Sequence, residues 1–205
     1  MGLVFMMYAQ DYDEKFCPGE GQFNLPSNPN ATVAWDTYTE PYAIKAGAKF
    51  YGDTSANNPF LRCPSDAVAR TGGSGIRSYA VPWTYDGNRN LAWKPAVTLP
   101  GGNYSEGRVL PEFSDAGGTI LLAEYPTAGN RLATNLGYRV AGPNTSLIHF
   151  DGANYLFVDG HVKWLRPAST ASQKTLPFTN ADGFNCQASN RLSSPCGMWT
   201  ITADD

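Results

Sequence analysis

The first nine residues, MGLVFMMYA, are apolar on every side of a helix, and the QDYDEKF that follows is mostly polar. A helix hydrophobic all round is either deeply buried or part of something longer. Asp11, Asp13 and Glu14 fall where a helix C-terminus carries partial negative charge, so the pattern predicts a helix ending near Tyr12. From Cys17 to Asn30, proline and glycine argue against regular structure, and a second short helix is expected from Glu40 to about Ala48, with Pro41 at its first position. Residues 53–75 read as loop. SYAVPWTY, residues 78–85, reads as an edge strand because Pro82 cannot donate to a central ladder. Residues 87–107 read as a long excursion. GGTILLAEY, residues 117–125, is a short continuous apolar run bounded by glycines, the pattern of a buried strand. Beyond Ala168 few apolar periodicities remain, and an irregular tail is expected.

The stretch HFDGANYLFVDGHVKWL, residues 149–165, holds both histidines and two Asp-Gly pairs. Asp-Gly between strand-like runs is a strong hairpin signal, because a type I′ turn needs positive φ at both central residues. Turns at Asp151-Gly152 and Asp159-Gly160 predict a three-stranded meander over residues 146–166. Val158 then lies opposite His161, Leu156 opposite Lys163, Asn154 opposite Leu165 and His149. Alternation assigns Ile148, Phe150, Ala153, Tyr155, Phe157, Val162 and Trp164 to the core face, against which helix 1–12 is expected to pack. In this register His149 and Asp159 are roughly 16 Å apart, and about 33 Å apart if the strand does not turn. Neither distance permits a catalytic or metal pair, and His149 and His161 are too far apart to share one ion. Asp159 and Gly160 are therefore assigned to the turn, and His149 to hydrogen bonding with a neighbouring loop.

Composition changes this picture in one respect. Only 16% of residues are charged, while Gly (21) and Pro (15) are frequent, the profile of a loop-rich, β-rich secreted protein. A length of 205 residues suffices for one core. The net charge of −3 with scattered Lys and Arg argues against nucleic acid as a partner, and no stretch approaches the roughly twenty apolar residues of a membrane span. The four cysteines, Cys17, Cys63, Cys186 and Cys196, include no C-x-x-C pair. Disulfides are expected instead, with Cys17–Cys63 and Cys186–Cys196 favoured among the three possible pairings over four buried thiols.

His149, nine intervening residues and then Asp159-Gly160 resemble the H-X9-DG signature of a large bacterial family of prepilin-type, pseudopilin-like proteins. LVFMMYAQDYDEKF resembles that family's segment just after its membrane-inserting half-helix, FLRCPSD its Cys-Pro-Ser-Asp loop, and TILLAE with GANYLFVDGHVKWL its two sheet blocks. These matches run in order across most of residues 1–166. The resemblance implies an α+β, pilin-like fold, a long N-terminal helix packed on an antiparallel sheet with variable loops. It also implies a non-enzymatic role in assembly or display at the cell surface, outside the cell or in the periplasm. Partners would be copies of itself or other pilin-like subunits of a type II secretion or type IV pilus-like system or a surface filament. The sequence departs from the family at its start: it opens at Met1-Gly-Leu, inside the helix, without the peptidase site and apolar half-helix. Either that anchor has been removed or the chain is a natural variant.

Other chemistry has weaker support. Calcium is the cofactor to test, since the resembling major pseudopilins hold it in loops of the C-terminal half. Asn180-x-Asp182-Gly183-x-Asn185 is the nearest approach to a calcium loop, with Asp151 and Asp159 as further oxygen donors; a solvated Asx-turn explains the same residues. Sequons at Asn30, Asn103 and Asn144 permit glycosylation in a host that performs it. No G-x-S-x-G, H-E-x-x-H or P-loop is present, Glu124 is a carboxylate without an evident partner, and a metal-dependent hydrolase is a remote alternative. The non-enzyme alternative is a carbohydrate-binding or adhesion module using Trp35, Trp83, Trp93 and Trp199.

Overall fold

The computed structural model describes residues 1–18, 20–25, 28–44, 58–70, 76–83, 93–99, 102–126, 133–135, 148–170 and 198. The chain is α+β, and its described residues form two α-helices and two sheets. Helix α1 spans Gly2–Asp11 and α2 spans Trp35–Ala43. The strands are β1 (Glu20–Leu25), β2 (Asn28–Ala34), β3 (Tyr79–Trp83), β4 (Trp93–Leu99), β5 (Gly102–Gly107), β6 (Ile120–Glu124), β7 (Ala133–Asn135), β8 (Ala153–Phe157) and β9 (Val162–Leu165). One sheet has the order β2-β1-β5-β4 and is antiparallel; the other runs β7-β3-β6-β8-β9 and is antiparallel except at β3–β7. Among the described residues no helix is long and apolar enough to cross a membrane.

Helix α1 stops at the polar residues that its sequence marks as an end. Asp13 and Glu14 take positive φ, the Glu14 amide returns to the Ala9 carbonyl at 2.8 Å, and the chain reverses. It then runs beside residues 108–110: Lys15 bridges Val109, the Phe16 amide donates to the Arg108 carbonyl at 2.9 Å, and the Leu110 amide donates to Glu14 at 2.8 Å. Gly107 is required here, because a Cβ at that position would lie 1.6 Å from the Phe16 carbonyl oxygen.

Several elements differ from the sequence pattern. Residues 20–25 and 28–34 pair as β1 and β2, and residues 93–99 and 102–107 as β4 and β5, where loop and excursion were expected. Pro29 and Pro95 sit in β2 and β4, the two edge strands of that sheet, and Pro95 falls in a register shift. Helix α2 begins at Trp35, five residues before the expected start, with Pro41 inside it. Its first turn is held by the Asp36 carboxylate, which accepts from the Thr37 amide at 2.8 Å, and by burial of Trp35 against Phe5 of α1 with ring centroids 5.6 Å apart. Tyr42 adds an edge-on contact with Tyr8 and a 2.8 Å hydrogen bond to Asp11. Strand β3 is interior rather than an edge. It pairs with β6 at Tyr79 and Ala80 and with β7 from Val81 to Trp83, so Pro82 faces only one neighbour strand.

The meander is corrected in register. Strand β8 pairs with β9 as Leu156↔Val162 and Tyr155↔Lys163, one residue from the expected alignment. Only Gly160, and not Asp159, has positive φ. The Gly160 amide closes on the Phe157 carbonyl and the Phe157 amide on the His161 carbonyl, each at 2.9 Å, giving a three-residue loop with a glycine bulge in place of a two-residue turn. A one-residue slip exchanges faces along the partner strand. Val162 and Trp164 are accordingly exposed, Phe150 is 97% exposed, and Leu156 and Val158 join Ala153, Tyr155 and Phe157 in the core. Helix α1 lies on the Leu156 side: a Cβ on Gly2 would fall 2.9 Å from a Leu156 methyl and from the Gly160 carbonyl. The neighbour of β8 opposite β9 is β6, and residues 148–152 contribute a single bridge, His149↔Gly152.

Candidate functional site: a thiol, a carboxylate and an imidazole

Cys63 is fixed by its own loop. The Asp66 amide donates to the Cys63 carbonyl at 2.9 Å, making Cys-Pro-Ser-Asp a β-turn with Pro64 at the position its ring favours. The Cys63 amide donates to Ser78 Oγ at 2.9 Å, and that hydroxyl donates to Asp66 Oδ2 at 2.6 Å. Asp66 also accepts from the Val68 amide and binds the Arg70 guanidinium through both its oxygens. Burial works to raise the Asp66 pKa, but the hydrogen bonds from Arg70, Ser78 and Val68 outweigh it and hold the carboxyl below its ordinary value.

Glu124 ends β6, a strand buried along its whole length. A carboxylate at such a position needs donors. The Asn154 amide supplies one at 2.7 Å and its side-chain nitrogen another at 3.1 Å. His149 is presented by the turn preceding β8. Phe150 takes φ 60, the Gly152 amide closes on the His149 carbonyl, and the Trp164 indole donates to the same carbonyl at 3.2 Å. Gly152 has no Cβ because the indole lies over it; a Cβ would fall 2.4 Å from the ring.

These three residues meet. His149 Nε2 is 3.0 Å from Glu124 Oε1 and 3.3 Å from Cys63 Sγ, and the three donor atoms all lie within 4.8 Å of one another. Burial first, and then the charges of Glu124 and Asp66, push the Cys63 thiol above its ordinary value, against a backbone hydrogen bond at Ser65. Such a thiol is protonated at neutral pH and is a poor nucleophile. In a nucleophile–base–orienter relay the imidazole uses one nitrogen for each neighbour; here both neighbours meet the same nitrogen. The arrangement suits ligation or structural cross-linking better than acyl transfer. On the α1 side of Glu124 is a cavity of about 270 Å³, lined also by Met1, Tyr79, Asn154, Leu156 and Val162.

The expected site residues are dispersed differently. His149 does bond to neighbouring elements, Glu124 at the end of β6 and Cys63 in its loop, and Glu124 is not without partners. Asp159, assigned to the turn, pairs with His161 at 2.7 Å, and the His161 ring stacks on Phe157. Asp151 pairs with Arg166 at 2.7 Å, both exposed. The Cys17–Cys63 disulfide is corrected: both are free, buried thiols, Cys17 in the core beside Phe16 and Cys63 turned toward His149. Trp35 is wholly buried and offers no sugar platform. Asn30 lies in β2 and Asn103 in β5, opposite Thr98. Cys186, Cys196, Asn144, Trp199, the Asn180–Asn185 loop and the tail, apart from residues 168–170 and Met198, lie outside the described residues. Sequence reasoning missed Cys63 as a partner of His149. The available signal was that FLRCPSD, TILLAE and the His149 segment are three separate recognisable stretches, and each contributes one side chain to the cluster. Compared with protein-family profiles, curated proteins and solved structures, the chain finds no match.

Proposed function

We propose that this chain is the globular part of a pilin- or pseudopilin-like assembly subunit, working by association rather than by chemistry, at the cell surface, outside the cell or in the periplasm. The observation that supports this reading is α1. Phe5, Tyr8 and Ala9 bury one side of it, while Leu3 on the same apolar helix is 72% exposed. An apolar helix left partly uncovered is surface available for a like helix of another subunit. The proposed partners are copies of this chain or similar subunits. In sedimentation, the chain should associate with rising concentration, and Leu3→Asp should shift it toward monomer without altering its far-UV circular dichroism. Monomeric behaviour of both proteins across the range, together with failure to join filaments when an apolar half-helix is grafted before Met1, overturns the reading.

A second reading, a carbohydrate-binding or adhesion module, draws on Phe150 and Trp164, exposed aromatics at one corner of β9. Glycan binding abolished by Trp164→Ala would favour it over assembly.

A further inference from the structure

We propose that Cys63, Glu124 and His149 form a binding site for a borderline divalent metal ion of the zinc class. The first argument is geometric. Around a tetrahedral zinc, sulfur and nitrogen ligands stand roughly 3.6 Å apart and nitrogen and oxygen ligands about 3.4 Å apart, from the usual zinc–ligand bond lengths. The cluster has 3.3 Å and 3.0 Å for these separations. Along these two edges, movements of a few tenths of an ångström reach the coordination distances, and the third edge, sulfur to carboxylate oxygen, lies within 4.8 Å.

The second argument is that hydrogens hold the three groups together where a cation could. A neutral imidazole nitrogen carries either one hydrogen or one lone pair. If Nε2 carries the hydrogen, it goes to Glu124, and the Cys63 thiol gives its own hydrogen to the same carboxylate. If it carries the lone pair, the Cys63 thiol can donate to it, and the lone pair then faces the Glu124 carboxylate. A cation at the centre can take the place of these shared hydrogens, because carboxylate oxygen, imidazole nitrogen and thiolate sulfur then all direct a lone pair at it. On binding, the thiol proton passes to solvent and the sulfur lone pair forms the bond to the metal.

The donor set selects the ion. A thiolate beside an imidazole disfavours calcium and magnesium, which take oxygen ligands, and suits zinc. The surroundings are those of an oriented ligand set. Asn154 fixes the Glu124 carboxylate with two hydrogen bonds, and the Ser78–Asp66 pair fixes the Cys63 backbone. The ligands come from a loop, the end of β6 and the turn before β8, so one ion would join three segments far apart in sequence. This site does not depend on the assembly reading, and either can fail alone.

The test uses the full chain, freed of metal and titrated with zinc and with cobalt(II). Expected are a rise in melting temperature and, with cobalt, a thiolate charge-transfer band that disappears in Cys63→Ser and persists in Cys17→Ser and in the Cys186→Ser/Cys196→Ser double variant. Glu124→Gln and His149→Ala should abolish tight binding, and Asn154→Ala should weaken it by roughly 10- to 100-fold, as loss of a group that orients a ligand does. X-ray absorption on the zinc-loaded native chain, which needs no variant to fold, should give a single sulfur with nitrogen and oxygen. No zinc-dependent stabilisation, a zinc shell without sulfur or with several sulfurs, or a cobalt band that survives Cys63→Ser overturns the proposal.

Discussion

At the scale of single residues, three glycines are fixed by what lies against them. Gly107 sits under the Phe16 carbonyl and Gly152 under the Trp164 indole, while Gly160 supplies φ +94 at the β8–β9 loop. Gly107→Ala forces apart two backbone segments that have no flexible atom to give way, and should cost about 1–3 kcal/mol or more, measured by urea unfolding. Gly160→Val should cost roughly 1–3 kcal/mol through its backbone conformation alone, before its contact with Met6 is counted. Of these, Gly152 and Gly160 were recognisable in the sequence, because Asp-Gly announces a turn; Gly107 was not. Gly107 closes a contact between segments some ninety residues apart, and nothing local in the chain records such an approach. The same reason hid Cys63: its partners lie 61 and 86 positions away, at Glu124 and His149, so spacing rules for ligands had nothing to act on.

At the scale of elements, local apolar pattern located α1 and β6, whose burial follows directly from continuous apolar runs. It failed where polar, Gly- and Pro-containing segments pair with one another, as in β1–β2 and β4–β5, since a hairpin of that composition takes its stability from the partner strand rather than from its own propensity. At β8–β9 the turn was placed correctly and its length was not, and one residue of loop moved Val162 and Trp164 from core to surface. This register has a direct test. Val162→Thr should change stability by no more than about 0.5 kcal/mol, as at an exposed site, whereas Leu156→Ala should cost about 2–5 kcal/mol. The opposite ranking in thermal unfolding would restore the two-residue turn.

At the scale of the whole molecule, the response to acid follows from the buried carboxylates. Asp66 has a folded pKa below its ordinary value of 3.8, so the stability it contributes is present above that value and is lost as pH falls through the folded pKa. Asp36 works the other way. Burial raises its pKa despite the Arg77 guanidinium 3.1 Å away, so its contribution is present below its unfolded pKa and is lost as pH rises through the folded one. Melting temperature measured from neutral pH downward should therefore fall below about pH 4 in the native chain. Asp66→Asn should start lower and fall less steeply over the same range; parallel curves would show that Asp66 does not govern the acid limb.

The ladder joining residues 14–16 to residues 108–110 carries a mechanical consequence. It is the first fastening met on leaving the far end of α1. Its strands run antiparallel, and Phe16–Arg108 and Leu110–Glu14 close it on both sides of the Lys15–Val109 bridge. A pull applied along α1 reaches the rest of the molecule through these bonds together with the packing of Phe5 on Trp35 and the Tyr42–Asp11 bond, and Gly107 allows the two backbones of the ladder to lie close enough for it to hold. Under tension this short seam would share the load with the side-chain packing of α1, and it would give way only by breaking its backbone bonds together.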